Sequence, residues 1–167
     1  MPKIIIDTDR WTDDVLALMM TINPKELDIQ GITTIFGNAA LTQTTQNALC
    51  LLEYMNQAEV PIYRGDAKPL GGNDRYLYGL HRTSDLTVRL PRPKPQPIHA
   101  TGYIVDLIQT YPREVMLIAL RPLTNVATAL GQEPQLKKSL GTDRNGRRHR
   151  GVRKHNPLRR SQHIRRS

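Results

Sequence analysis

The chain has 167 residues, with 24 Lys+Arg against 15 Asp+Glu, a formal net charge of +9, and 38% apolar residues. That length suits one domain with a real core, and a single cysteine, Cys50, excludes an intramolecular disulfide and fits a reducing compartment. No apolar run approaches the roughly 20 residues of a membrane span, and the first residues read as a strand with one lysine rather than a signal peptide. The expected setting is soluble and cytoplasmic.

The charge is unevenly spread. Ten of the basic residues lie between Arg144 and Arg166, and Asp143 just before them is the one acidic residue from Gly141 onward, so residues 1–140 carry 14 basic and 14 acidic groups. The body is neutral and the excess belongs to the carboxyl-terminal segment.

In chain order, Lys3-Ile4-Ile5-Ile6 is a β-branched apolar run that suits a buried strand. Asp7, Asp9, Asp13 and Asp14 follow, and Val15 to Met20 continues in good helix formers. Strand, acidic turn and helix is how a parallel α/β sheet presents chemistry at the carboxyl ends of its strands. Clustered carboxylates repel one another and need a cation or protons, and an oxygen-rich set suits a hard divalent ion such as calcium or magnesium. The plainer alternative is a solvated turn whose aspartates favour the helix start.

The first helix is expected from about Asp13 to Ile22, stopped by Asn23-Pro24. Leu27 to Ile35 reads as a second strand, ending at Phe36-Gly37-Asn38, where Gly37 supplies either a positive φ or room for a close neighbour. Leu41 to Asn56 reads as a helix, with Cys50 as a core thiol. Val60 to Tyr63 is a short third strand. The β-α-β-α-β order predicts a parallel sheet. Lys68 to Pro97 is a long connection, of the kind often used as a lid or binding loop, and its Pro91–Pro97 run favours extended conformation. Ile98 to Thr110 is a helix, Glu114 to Leu120 a strand, Leu123 to Leu130 a helix, and Glu133 to Leu136 a short turn. From Gly141 onward only Val152, Leu158 and Ile164 are apolar. Residues 141–167 are therefore expected to be a disordered Arg-rich tail on a domain of residues 1–140.

Ile5 to Leu18, with its Asp7-Thr8-Asp9 and Asp13-Asp14, resembles the D-x-D-P-G-x-D-D signature of the inosine-uridine-preferring nucleoside hydrolases. The resemblance extends through Gly31 to Asn38, Thr44 to Ala48, Val60 to Tyr63, His81, and Leu117 to Asn125, in order and spacing. It implies an open, mostly parallel α/β sheet with flanking helices, here incomplete, and hydrolysis of the N-glycosidic bond of ribonucleosides. It further implies one Ca2+ ligated by Asp9, Asp14 and the backbone carbonyl of Leu120. Asp13 would be the general base toward water on that ion, Asp7 and Asn38 would hold the ribose hydroxyls, and His81 would lie in the loop that approaches the substrate. The family also suggests a homo-oligomer.

The departures are specific. Family members are roughly twice as long, and the chain reads as their amino-terminal half, truncated or frameshifted after Leu140. Arg10-Trp11 replaces Pro-Gly in the acidic turn, and Arg82, Asp85 and Arg121 stand at expected glycines. Replacing a glycine is costly where φ is positive, and Arg beside a metal pocket repels the cation. Impaired hydrolysis is one expectation. The alternative is an inactive fragment whose residues 144–166 bind nucleic acid through phosphates, non-specifically because no aromatic residue in that stretch can stack on bases. A metal-dependent phosphatase ranks last: Trp11 stands where a D-x-D-x-T motif needs Thr, and no phosphate loop pattern occurs.

Overall fold

A computed structural model of the chain describes residues 1, 3–9, 12–22, 27–37, 39–71, 91–120 and 122–140. Arg10, Trp11, Asn38, His81, Arg82, Asp85, Arg121 and the basic segment 141–167 lie outside the described residues, as does the side chain of Asp13. The elements run β1 (Lys3–Thr8), α1 (Thr12–Ile22), β2 (Asp28–Thr34), α2 (Leu41–Tyr54), β3 (Ile62–Arg64), α3 (Ala100–Thr110), β4 (Val115–Ala119), α4 (Thr124–Gln132) and α5 (Leu136–Ser139). No described helix is long and apolar enough to cross a membrane.

Strand β1 lies at the centre of a parallel four-stranded sheet ordered β3-β2-β1-β4. The isoleucine run accounts for this position. Successive side chains of a strand point to opposite faces, and a parallel strand covered by helices on both sides needs apolar residues on both. Ile4 and Ile6 join Leu18 and Ile22 of α1 and Ala48, Leu49, Leu51 and Leu52 of α2 in one buried cluster. Ile5 points the other way, into a cluster with Ile104 and Ile108 of α3, Ala129 of α4 and Leu136 of α5. Each fully buried side chain of this size contributes roughly 1.5–3 kcal/mol of transfer free energy.

Several boundaries differ from the sequence expectation for identifiable reasons. β3 begins at Ile62 rather than Val60, because Pro61 has no N–H to give; its carbonyl accepts from Ile32 N at 2.9 Å. The proline-rich run ends beside that strand, where Gln96 N donates to Ile62 O at 2.8 Å and pairs with Tyr63. Helix α4 continues past Leu130 to Gln132, and the expected turn after it tightens into α5, held by the buried Leu136. Cys50 is half-buried rather than part of the core.

Three further contacts fix the sheet against α2 and α3. Thr34 and Thr45 share a hydrogen bond at 2.9 Å, and Thr44 Oγ1 donates to Ile35 O at 3.1 Å, docking α2 on the end of β2. Tyr103 stacks on Tyr63 with ring centres 3.6 Å apart, directly over Gly31, where a Cβ would lie 2.9 Å from the Tyr103 hydroxyl.

Ile32 is fully buried between these layers on β2. Ile32→Ala is expected to cost about 2–5 kcal/mol, read from the shift in denaturant midpoint; a cost below about 1 kcal/mol would contradict the two-sided core described.

Candidate active site

The carboxyl ends of β1, β2 and β4 converge where the acidic residues begin. Asp7 faces Thr33 across the β1–β2 register and Ala119 across the β1–β4 register. Backbone bonds continue beyond the strands: Ile35 N donates to Thr8 O at 3.1 Å, and Leu120 N to Asp7 O at 2.9 Å. Leu120, the expected carbonyl ligand, is thereby held at the strand end carrying the aspartates.

Asp7 has no exposed surface. Its Oδ1 accepts from Thr33 Oγ1 at 2.6 Å and from Asn125 Nδ2 at 2.8 Å, while its Oδ2 has no hydrogen-bond partner among the described residues. Burial pushes the Asp7 carboxyl from the ordinary 3.8 up to about 6. The Thr33 and Asn125 donors pull it back down, and the negative charge of Asp66 adds to the rise. The residue expected at the ribose therefore sits enclosed within the sheet end.

Asp9 and Asp14 are also buried, 2% and 4% exposed. The Asp9 carboxylate packs on Gly37: a Cβ there would lie 1.9 Å from Asp9 Oδ2 and 2.4 Å from Asp9 Cβ. Asp14, in the first turn of α1, accepts from Thr8 Oγ1 at 2.7 Å. Thr8 and Asp7 are adjacent on a strand, so their side chains leave opposite faces: Thr8 reaches α1 and Asp7 reaches α4. For Asp13 the structure gives only its place in α1, and Asn38 and His81 lie outside the described residues.

Buried anionic oxygens of this kind fit a hard divalent cation. Among the described residues, no group of three or more His, Cys, Asp or Glu is placed to hold a metal.

Asn125 and Gly65 carried no assigned role in the sequence. Asn125, fully buried at the start of α4, bonds to Asp7, to Thr34 O at 3.2 Å and to Asp66 N at 2.9 Å. Gly65 leaves it room, since a Cβ on Gly65 would lie 2.1 Å from Asn125 Oδ1. These partners are far apart in the sequence, so no local pattern marks them. Asp66 itself accepts from Thr128 Oγ1 at 3.0 Å, and His99 Nε2 lies 3.9 Å from its Oδ1.

Two outcomes follow from this geometry. Gly37→Ala drives a methyl group into the body of the Asp9 side chain and is expected to cost about 1–3 kcal/mol, as overpacking does; an unchanged denaturant midpoint would contradict the contact. A folded-state pKa near 6 against 3.8 unfolded means that the fold favours protonated Asp7. With chelator present, its contribution, on the order of 3 kcal/mol, is complete below about pH 4 and is lost as pH rises through about 6. Comparing wild type with Asp7→Asn over this range isolates the effect, and identical pH dependence in the two would refute it.

Comparison with known proteins identifies the fold and family. The sequence model of the inosine-uridine preferring nucleoside hydrolases matches residues 4–142. A protein of Oryza sativa subsp. japonica described as probable uridine nucleosidase 1 is 39% identical over 136 residues, covering 79% of this chain and 42% of that protein. The non-specific ribonucleoside hydrolase RihC of Escherichia coli O139:H28 is 40% identical over 138 residues, covering 80% of this chain and 45% of that protein. The solved plant nucleoside hydrolase PpNRh1 superposes with a TM-score of 0.72 at 31% identity, over 83% of this chain and 45% of the other. The chain thus spans less than half the length of these relatives, and within that span it belongs to the inosine-uridine preferring nucleoside hydrolase family.

Proposed function

We propose that the chain provides the ion-binding and water-activating part of a ribonucleoside hydrolase, which splits a ribonucleoside with water into ribose and free base. The observation that carries this is the burial of Asp9 and Asp14 around the end of β1, in a chain belonging to this family. Carboxylates shielded from water at the carboxyl end of a parallel sheet are costly unless a cation or protons compensate them. In this reading Asp9, Asp14 and the carbonyl of Leu120 hold a Ca2+ ion. When bound, such an ion supplies Lewis acidity that lowers the pKa of water in the site.

The remaining roles fall to the chain's own residues. Asp13, beside Asp14 in the first turn of α1, accepts the proton of the attacking water as general base. Departure of the base builds positive charge on the sugar, which the acidic cluster stabilises. Asn38, directly after Gly37, both donates to and accepts from ribose hydroxyls, and His81 is assigned to the nucleoside by the family resemblance alone. Asp7, being enclosed, supports the ribose end of the site from beneath.

The basic segment is a separate matter. Its ten Lys and Arg residues would give non-specific, salt-sensitive affinity for nucleic acid. Deleting residues 141–167 is expected to abolish such binding, measured by fluorescence anisotropy on a labelled oligonucleotide; retained binding would move it to the body.

The test of the main proposal is ribose release from uridine and inosine. Activity is expected to vanish on chelation and return with Ca2+. Asp13→Asn is expected to lower kcat by roughly 10²–10⁴-fold, the usual contribution of a general base, and Asp9→Asn and Asp14→Asn to weaken Ca2+ uptake. Full activity after exhaustive chelation, or an unimpaired Asp13→Asn variant, would overturn the assignment.

A further inference from the structure

We propose that Asn125 is the positioning residue of the site, tying the carboxyl ends of β1, β2 and β3 into one platform through a single side-chain amide. Its Nδ2 donates to Asp7 Oδ1 at the end of β1 and to Thr34 O at the end of β2, and its Oδ1 accepts from Asp66 N just past β3. Asn125 is the second residue of α4, the helix that follows β4, so three strand ends and this helix meet at one side chain.

The amide is the group these partners require. A carboxylate and a carbonyl both need a donor, and a backbone N–H needs an acceptor. An ionised Asp could not donate to the Asp7 carboxylate. A longer side chain has no room, because Asn125 fills the space a Cβ on Gly65 would take. Leaving these groups unmatched in a fully buried setting is costly.

The platform leads to the acidic cluster by short covalent and hydrogen-bonded paths. Asp7, on β1, precedes Asp9, just past the strand, by two residues. Thr34 precedes Ile35, whose N–H holds Thr8 O, and Thr8 holds Asp14. Gly37, three residues past Thr34, is the surface on which Asp9 rests. A shift at Asn125 therefore moves both proposed carboxylate ligands, Asp9 and Asp14, without touching either. The link to ion binding rests on the proposed function; the platform itself does not.

The experiment uses the full chain as wild type, Asn125→Asp and Asn125→Ala, with two readouts. The first is amide hydrogen exchange without divalent ions. In Asn125→Ala the Asp66 amide should exchange roughly tenfold faster, having lost its acceptor, with Gly65 and Ile35 following. The second is Ca2+ titration by calorimetry, where both variants should bind about 10–100-fold more weakly, as with other losses behind a metal ligand. Thr128→Ala removes a different α4 bond to Asp66 and should leave the affinity unchanged.

Wild-type exchange rates in a folded Asn125→Ala variant overturn the platform, whatever the ion does. An equal loss of affinity in Thr128→Ala overturns the specific role of Asn125, since docking of α4 alone would then explain it. A wild-type chain that takes up no Ca2+ contradicts the proposed function, and the exchange data still decide on Asn125. If the single variants do not fold, the swap Asp7→Asn with Asn125→Asp restores a donor facing an acceptor. Recovery of the fold in the swap supports the pairing, and a swap no better folded than the single variants overturns it.

Discussion

The structure depends on how a carboxylate is accommodated at the middle of a parallel sheet. Asp7 lies on the most buried strand of the fold and has no access to water. A charge in that position destabilises the fold unless donors surround it. Thr33 from the adjacent strand and Asn125 from the far end of the chain supply them. Meeting that demand brings β2, the loop after β3 and α4 to one point, and Asp9 and Asp14 are fixed beside it. The cost of burying one acid thus becomes the means of arranging the others.

Much of this was legible in the sequence, and the readable parts share a cause. The isoleucine run of β1 predicts a strand buried on both faces because side-chain alternation is a local property. Ile4 and Ile6 do enter one cluster and Ile5 the other. The glycine at the end of β2 was open between a positive φ and a close neighbour. Positive φ among the described glycines occurs at Gly71, and Gly37 instead meets the Asp9 side chain. The parallel sheet followed from the alternation of strands and helices, and the family from the order of its motifs.

What stayed hidden depends on distance along the chain. Asn125 meets partners 118, 91 and 59 positions away, and nothing about a Thr-Asn pair at a helix start announces them. The enclosure of Asp7 is similar: the sequence shows an acid in a cluster, and only the register opposite Thr33 and the approach of α4 reveal that it is sealed from solvent. The offset of β3 came from a proline whose carbonyl, rather than its missing N–H, joins the sheet.

The central claim is that the end of β1 grips a divalent cation, and paramagnetic NMR of the full chain with Mn2+ tests it most directly. The account predicts that substoichiometric Mn2+ broadens amide signals of Thr8, Asp9, Asp14, Gly37 and Leu120 first, with Ca2+ reversing the effect by competition. Broadening centred elsewhere, or none at these positions, would contradict it.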